Sequence, residues 1–261
     1  MLKTRIISAA LGIPILLGAA YLGKYYWTGI IVLLVGLALA EYLAMMSRKG
    51  ARPLFLSAYA IAGIVLFRLQ LGQHVAGWFW LGLLLMILTM LIAYPRSNFD
   101  DLALSLFGAI YCGFFFSYAL ALNDTSRAFP YLLLVFVLTW ASDIGGYLFG
   151  RLWGKHKLAP QLSPAKTWEG ALGGLALTIL TALVYKYFGH MIGADWIYTF
   201  GLGLLASIAA QVGDLLESSI KRYFGVKDSG HIIPGHGGVL DRFDSFMLVL
   251  PVVYYYLLIL A

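Results

Sequence analysis

Residues 26–46 read YWTGIIVLLVGLALAEYLAMM, twenty-one positions that include one charged side chain, Glu41. A helix rises about 1.5 Å per residue, so about 20 apolar residues cross the roughly 30 Å hydrocarbon layer of a bilayer. A helix apolar on every face is a membrane span or a deeply buried core element. Eight further runs of similar character flank it, at about 6–22, 53–70, 75–94, 101–122, 128–150, 167–188, 195–219 and 239–260. So many runs of that length leave no soluble core for them to be buried in, and a membrane protein is expected.

The composition agrees. Of 261 residues, 61% are hydrophobic and 11% charged, against about 45–50% and 25% in ordinary soluble domains. The expected fold is an all-α, polytopic integral membrane protein with about nine transmembrane helices. The longest polar stretches, 151–166 and 220–238, are too short for a separate soluble domain, so 1–261 reads as a single membrane domain: five first spans (about 6–122), then four spans with their loops (about 128–260). Lys3 and Arg5 before the first run resemble the start of a signal peptide, with Ala19 and Ala20 near a cleavage point. The run exceeds the usual ~7–15 residues of such peptides, so an uncleaved first helix is expected. Cys112, the only cysteine, lies within the fifth span and reads as a small buried side chain.

Charge sets the expected orientation. In a nine-span arrangement Lys24, Arg68, Arg127 and Lys186 fall on one side and the other 14 of the 18 Lys and Arg residues on the opposite side. By the positive-inside rule the N-terminus and both long polar loops are cytoplasmic. Glycine pairs within spans, Gly145-Gly146 and Gly173-Gly174, read as close helix packing through small residues.

Of the 12 acidic residues, Glu41, Asp143, Glu169, Asp214, Glu217, Asp241 and Asp244 fall in or beside apolar runs. Because alternate spans run in opposite directions, all seven are expected toward the cytoplasmic side. A carboxylate within a span costs roughly 2.5–3.5 kcal/mol on insertion scales and therefore faces a cavity, a partner charge or an ion. Glu41 and Glu217 could equally pair with a neighbouring Lys or Arg. Asp214, Glu217 and Lys221 share one helix face if the eighth span continues to 221, and Asp241 and Asp244 are three apart at the start of the ninth. Between them lies KDSGHIIPGHGG, whose glycines permit left-handed backbone and close approach to a ligand. Carboxylates suit a hard cation such as Mg²⁺, which binds through carboxylate oxygens, substrate phosphates and water. Lys166, Lys221, Arg222, Lys227 and Arg242 are interleaved with those acids and suit phosphate oxygens. A nucleoside triphosphate matches this sum better than a neutral solute.

The run Ser219–Asp244, SIKRYFGVKDSGHIIPGHGGVLDRFD, closely resembles the signature of the phosphatidate cytidylyltransferase (CDP-diacylglycerol synthase) family. The matching positions are Ser219, Lys221, Arg222, Lys227, Asp228, Ser229, His236, Gly237, Gly238, Asp241, Arg242, Phe243 and Asp244. SDIGGYLFGR (142–151) and SPAKTWEG (163–170) look like the family's other blocks, and spans one to five match in hydropathy only. Ala165 departs from the pattern, standing where a second lysine is common.

The resemblance implies cytidylyl transfer from CTP to phosphatidic acid with release of pyrophosphate, in phospholipid biosynthesis at a bacterial-type inner membrane. It implies a metal site around Asp214 and Asp241, Mg²⁺ dependence, a second, monovalent cation and a homodimer. On that basis Asp214, Asp241, Lys221 and Asp244 are the expected catalytic residues, and Asp214, Asp241 and Asp143 the metal ligands. Ser163, Lys166, Lys221, Arg222, Lys227, His236, Gly237, Gly238 and Arg242 are the expected substrate contacts. Membrane lipids are expected partners and nucleic acid is not. His231 and His236 read as hydrogen-bonding or packing groups before acid–base ones, and Trp168 as an interface anchor. Competing readings are a CTP-dependent lipid kinase, a cytidylyltransferase for another lipid phosphate, and an ion-coupled transporter using Asp143 and Asp214. A transporter's acids belong near the midplane with access from both sides, whereas these crowd one side.

Overall fold

In the computed structural model, which describes residues 2–189, 195–235 and 237–260, helix forms at every one of the nine apolar runs. The helices are α1 (Leu2–Leu22), α2 (Lys24–Arg48), α3 (Phe55–Leu66), α4 (Arg68–Leu71), α5 (Val75–Ala93), α6 (Phe99–Asn123), α7 (Ala128–Trp153), α8 (Trp168–Tyr187), α9 (Trp196–Tyr223) and α10 (Leu240–Leu260). A two-stranded hairpin, β1 (Lys157–Ala159) with β2 (Ser163–Thr167), sits in the loop before α8. Among the described residues seven helical stretches are long and apolar enough to cross a membrane, while the apolar helices Ile6–Leu22 and Phe55–Leu66 are shorter.

The third expected span, 53–70, is corrected. Its helix ends at Leu66, and Phe67 leaves helical geometry (φ −92°, ψ 15°) ahead of the polar run RLQLGQH (68–74). At about 1.5 Å per residue, α3's 12 residues cover roughly 18 Å, short of the hydrocarbon layer. Arg68 explains the break. Its guanidinium lies over the rings of Phe114 and Tyr118 and its Nε donates to Ser117 Oγ (2.9 Å), so residues 68–71 belong with α5 instead.

The chain forms two compact units. The first comprises residues 1–124 and 223–241. There α2 and α3 pack on α6, α3 also on α5, and α1 on α2. Trp27, fully buried, donates its indole N–H to the Ala119 carbonyl (2.9 Å), which satisfies the polar group of a large apolar body. Asn98 and Asp101 form a capping box at the start of α6, and Asp101 also accepts from the Arg52 amide (2.7 Å). Cys112 is buried and free, as its sequence position suggested.

The second unit comprises residues 125–222 and 242–261. Its α7–α8 contact is a seam of small residues. A Cβ on Gly145 would stand 2.7 Å from the Gly173 carbonyl oxygen, and one on Gly174 would stand 2.8 Å from that of Ser142. The glycine pairs read as packing elements serve that purpose. Ile179 of α8 leaves no room for a side chain at Gly203 of α9, and the Asp244 carbonyl of α10 leaves none at Gly213. Phe136 stacks on Phe246 at 4.7 Å, tying α7 to α10.

Candidate active site

In the second unit three of the acids expected from sequence are brought together by α7, α9 and α10. Asp143, Asp214 and Asp244 lie close enough for their charges to interact, with Lys166, Lys221 and Arg242 acting on the same cluster. Their approach depends on Gly213, because the α10 backbone at Asp244 occupies the space a side chain there would need. Helix α9 continues to Tyr223, so Asp214, Glu217, Ser218 and Lys221 do share one face. Ser218 Oγ donates to Asp214 (3.4 Å), and Ser245 Oγ reaches Asp143 at 3.4 Å across 102 positions of sequence.

Lys166 Nζ is 2.7 Å from Asp214 Oδ2. The buried ammonium lies off the hydrogen-bonding direction, so the contact is an ion pair by distance and charge, not an aligned hydrogen bond. Local structure fixes this lysine. Thr167 is the N-cap of α8 and accepts from the Gly170 amide (3.1 Å), while β2 pairs with β1 through Lys157 and Thr167. Glu169 accepts from the Lys155 amide (3.1 Å) and pairs with His156 Nδ1 (2.6 Å), and Arg222 Nε donates to the Leu162 carbonyl (3.3 Å), so both ends of the hairpin are anchored. Ser163 begins β2. Lys221 pairs with buried Glu217, resolving that acid in favour of ion pairing.

The first unit holds most of the signature loop. Gly225, Gly235 and Gly237 have φ between 71° and 87°, which only glycine adopts readily, as expected for this loop. Asp241 Oδ2 accepts from Ser229 N (2.9 Å), Ser229 Oγ (2.9 Å) and Gly238 N (2.8 Å). Glu41 is 4% exposed and accepts from Val239 N (2.9 Å) and Leu240 N (3.0 Å), and it shares the single proton of Ser229 Oγ (3.1 Å) with Asp241. Its partner is thus the loop, not the Lys or Arg that sequence offered. Sequence reading missed this link because the partners lie 188 to 199 positions away. Tyr42 packs edge-on against Phe224 (5.3 Å), Lys49 sits over the Tyr223 ring, and Ser8 Oγ donates to the Pro234 carbonyl (3.0 Å). Lys227, Asp228 and His231 are exposed, and His236 lies outside the described residues.

The donors in the second unit fit a hard cation. Among the described residues no group of three or more His, Cys, Asp or Glu side chains is gathered into a cage for a metal ion. Mg²⁺ does not need one, since it usually takes one or two carboxylates and completes its shell with water and substrate phosphates. Asp143, Asp214 and Asp244 would suit an ion arriving with a triphosphate.

A family model described as the cytidylyltransferase family matches residues 3–260. The chain belongs to this family. It is 39% identical over 259 residues to a phosphatidate cytidylyltransferase of Staphylococcus epidermidis, covering 96% of each chain. It is 39% identical over 256 residues to one of Staphylococcus haemolyticus, again 96% of each. A third relative of that name, from Staphylococcus aureus, is 42% identical over 201 residues, 73% of this chain and 75% of its own. As a cytidylyltransferase family member with several long apolar helices and bacterial relatives, the protein is a multi-pass plasma-membrane enzyme. The match runs through α2, which carries Glu41, as well as the signature.

Proposed function

We infer that this protein transfers cytidylyl from CTP to phosphatidic acid, giving CDP-diacylglycerol and pyrophosphate. The observation that carries the reading is near full-length similarity to phosphatidate cytidylyltransferases. The pairing of Lys166 with Asp214 beside Asp143 and Asp244 supports it, because a polyanionic substrate needs both cations and metal-binding carboxylates.

A phosphate oxygen of phosphatidic acid attacks the α-phosphorus of CTP in line. The new P–O bond forms as the bond from α-phosphorus to the bridging oxygen breaks, and pyrophosphate leaves with that electron pair. A phosphate monoester with second pKa near 6 is mostly ionised at neutral pH, so no strong general base is required. Catalysis consists of holding two polyanions together and neutralising developing charge. Mg²⁺, held by Asp214 and Asp143 with Asp244 in support, would supply part of that neutralisation. The resemblance adds Asp241, one turn before Asp244 on α10, to the ligands. Lys166 and Lys221, each held beside a carboxylate, are positioned cations for phosphate oxygens, and Arg222, Lys227 and Arg242 extend that charge. Ser163 and the loop backbone at Gly237 and Gly238 complete the substrate contacts, with the N-terminus and both long loops in the cytoplasm. A second, monovalent cation and a homodimer belong to the same proposal.

The test uses CTP labelled on either phosphorus, with phosphatidic acid and detergent-solubilised protein. Label at the α-position should enter a chloroform-soluble liponucleotide, and label at the γ-position should appear in pyrophosphate. Entry of γ-label into lipid would make the protein a lipid kinase. Transfer of α-label only to a different lipid phosphate would change the acceptor and keep the chemistry.

A further inference from the structure

We propose that Glu41 is a positioning residue for the transfer reaction, a carboxylate that reaches from α2 to set the loop 229–240 and, through it, the orientation of Asp241. The inference rests on the function proposed above and extends it to a helix that carries none of the signature. Glu41 gives one oxygen to the Val239 amide and the other to the Leu240 amide and the Ser229 hydroxyl. Those two amides open α10, where the first turn has no intrahelical acceptors. A Ser or Asp at position 239 would cap amides further into the first turn and leave these two without an acceptor. The residue there is Val239, and the acceptor comes instead from a helix almost 200 positions away. The remote carboxylate therefore couples α2 to the loop, which a local cap could not do.

The loop is shaped around this carboxylate. A Cβ at Gly230 would stand 2.6 Å from Glu41 Oε1, so that glycine is required by Glu41, and one at Gly238 would strike both the Ser229 hydroxyl and Glu41. The Ser229 hydroxyl lies between two acids, 3.1 Å from Glu41 and 2.9 Å from Asp241. With the Ser229 and Gly238 amides it converges on a single oxygen of Asp241, which fixes the plane of that carboxyl group. Glu41 thus shares the Ser229 hydroxyl with Asp241 and holds the amide next to Gly238, whose own amide binds Asp241.

Glu41→Gln keeps the volume but turns an NH₂ toward a backbone N–H, so at least one amide loses its acceptor. In the purified full-length protein, transfer activity should fall about 10- to 100-fold and the Mg²⁺ concentration for half-maximal rate should rise, as for a residue that orients a metal ligand. Hydrogen exchange in metal-free protein should accelerate across 229–241 with little change elsewhere. Ser229→Ala, which keeps every amide bond to both acids, should raise the Mg²⁺ requirement by a smaller factor without lowering the thermal midpoint. A role in packing alone predicts Gln as good as Glu. Wild-type Mg²⁺ dependence together with wild-type exchange in Glu41→Gln would overturn the proposal, as would an unchanged Mg²⁺ requirement in Ser229→Ala. Should Glu41→Gln fail to fold, Ser229→Ala decides. A wild-type protein that transfers no α-label to phosphatidic acid would sink the functional reading instead, and the exchange comparison, which needs no turnover, would still test the clamp.

Discussion

Replacing Gly145 by Ala would push a methyl group into the α7–α8 seam, 2.7 Å from the Gly173 carbonyl oxygen and 2.8 Å from the Gly174 Cα. Ordinary carbon contacts lie near 3.5–4.0 Å, so the two backbones must part by most of an ångström. No flexible side chain can give way, since both obstacles are main chain. Overpacking costs about 1–3 kcal/mol, and two backbone obstacles place this case toward the upper end. Alanine returns about 1 kcal/mol through helix propensity, leaving a net loss of about 2 kcal/mol. That corresponds to a midpoint about 4–8 °C lower for a chain of this size. Activity should fall further than stability, because Asp143 lies two residues from the clash and a misplacement of about 1 Å can cost 10²-fold in rate. Gly146 is the internal control: a Cβ there would meet only the Gly170 oxygen, at 3.9 Å. Gly146→Ala should match or exceed the wild-type midpoint. Thermal unfolding in detergent and α-label transfer, measured on both variants, test the argument. A Gly145→Ala protein as stable and active as wild type would refute it, and so would equal damage from the two substitutions.

Other expectations are equally open to measurement. Asp214→Asn or Asp241→Asn should lower turnover by about 10²–10³, the usual loss when transition-state charge stabilisation is removed, and near-normal turnover in a folded variant would remove that residue from the site. Lys166→Met should raise KM for CTP more than it lowers kcat if the lysine serves phosphate binding, whereas an unchanged KM would confine it to pairing with Asp214. In a Cys112→Ser background, cysteines at exposed Lys155 and Asp228 should resist impermeant reagents in intact cells and one at exposed Asp195 should react. Labelling at Asp228→Cys from outside would reverse the proposed orientation.

Hydropathy located every apolar helix because each must satisfy its backbone internally while facing lipid, a requirement written in composition alone. It failed at Phe67 because a window average passes over one arginine, and the partners that draw Arg68 out of α3 lie on α6, nearly fifty positions away. Spacing showed that Asp214 and Lys221 share a face of α9, since three- and four-residue steps are local. It also placed Asp241 and Asp244 one turn apart. The same reasoning could pair neither Lys166 with Asp214 nor Ser245 with Asp143, because the first contact joins strand β2 to α9 and the second joins α10 to α7, and neither separation has a sequence periodicity.

Glu41 shows why the N-terminal helices could not be weighed from sequence. A single acid in an apolar run signals that something must compensate its charge, yet the run does not say what. A neighbouring Lys or Arg was one of the readings open to it, but Glu41 is satisfied by two amides and a shared hydroxyl. Backbone donors leave no trace in residue identity, except in the glycines that must clear the way for them. Gly230 and Gly238 are that trace: neither has a positive φ, yet Glu41 fills the space a Cβ would take at Gly230, and Ser229 and Glu41 fill it together at Gly238. An acid buried in a span and glycines without a conformational reason in a distant loop are therefore two halves of one constraint. It follows that replacing Glu41 by a smaller residue should make Gly230→Ala less damaging than it is beside the native acid, a coupling that independent roles for the two positions would not produce.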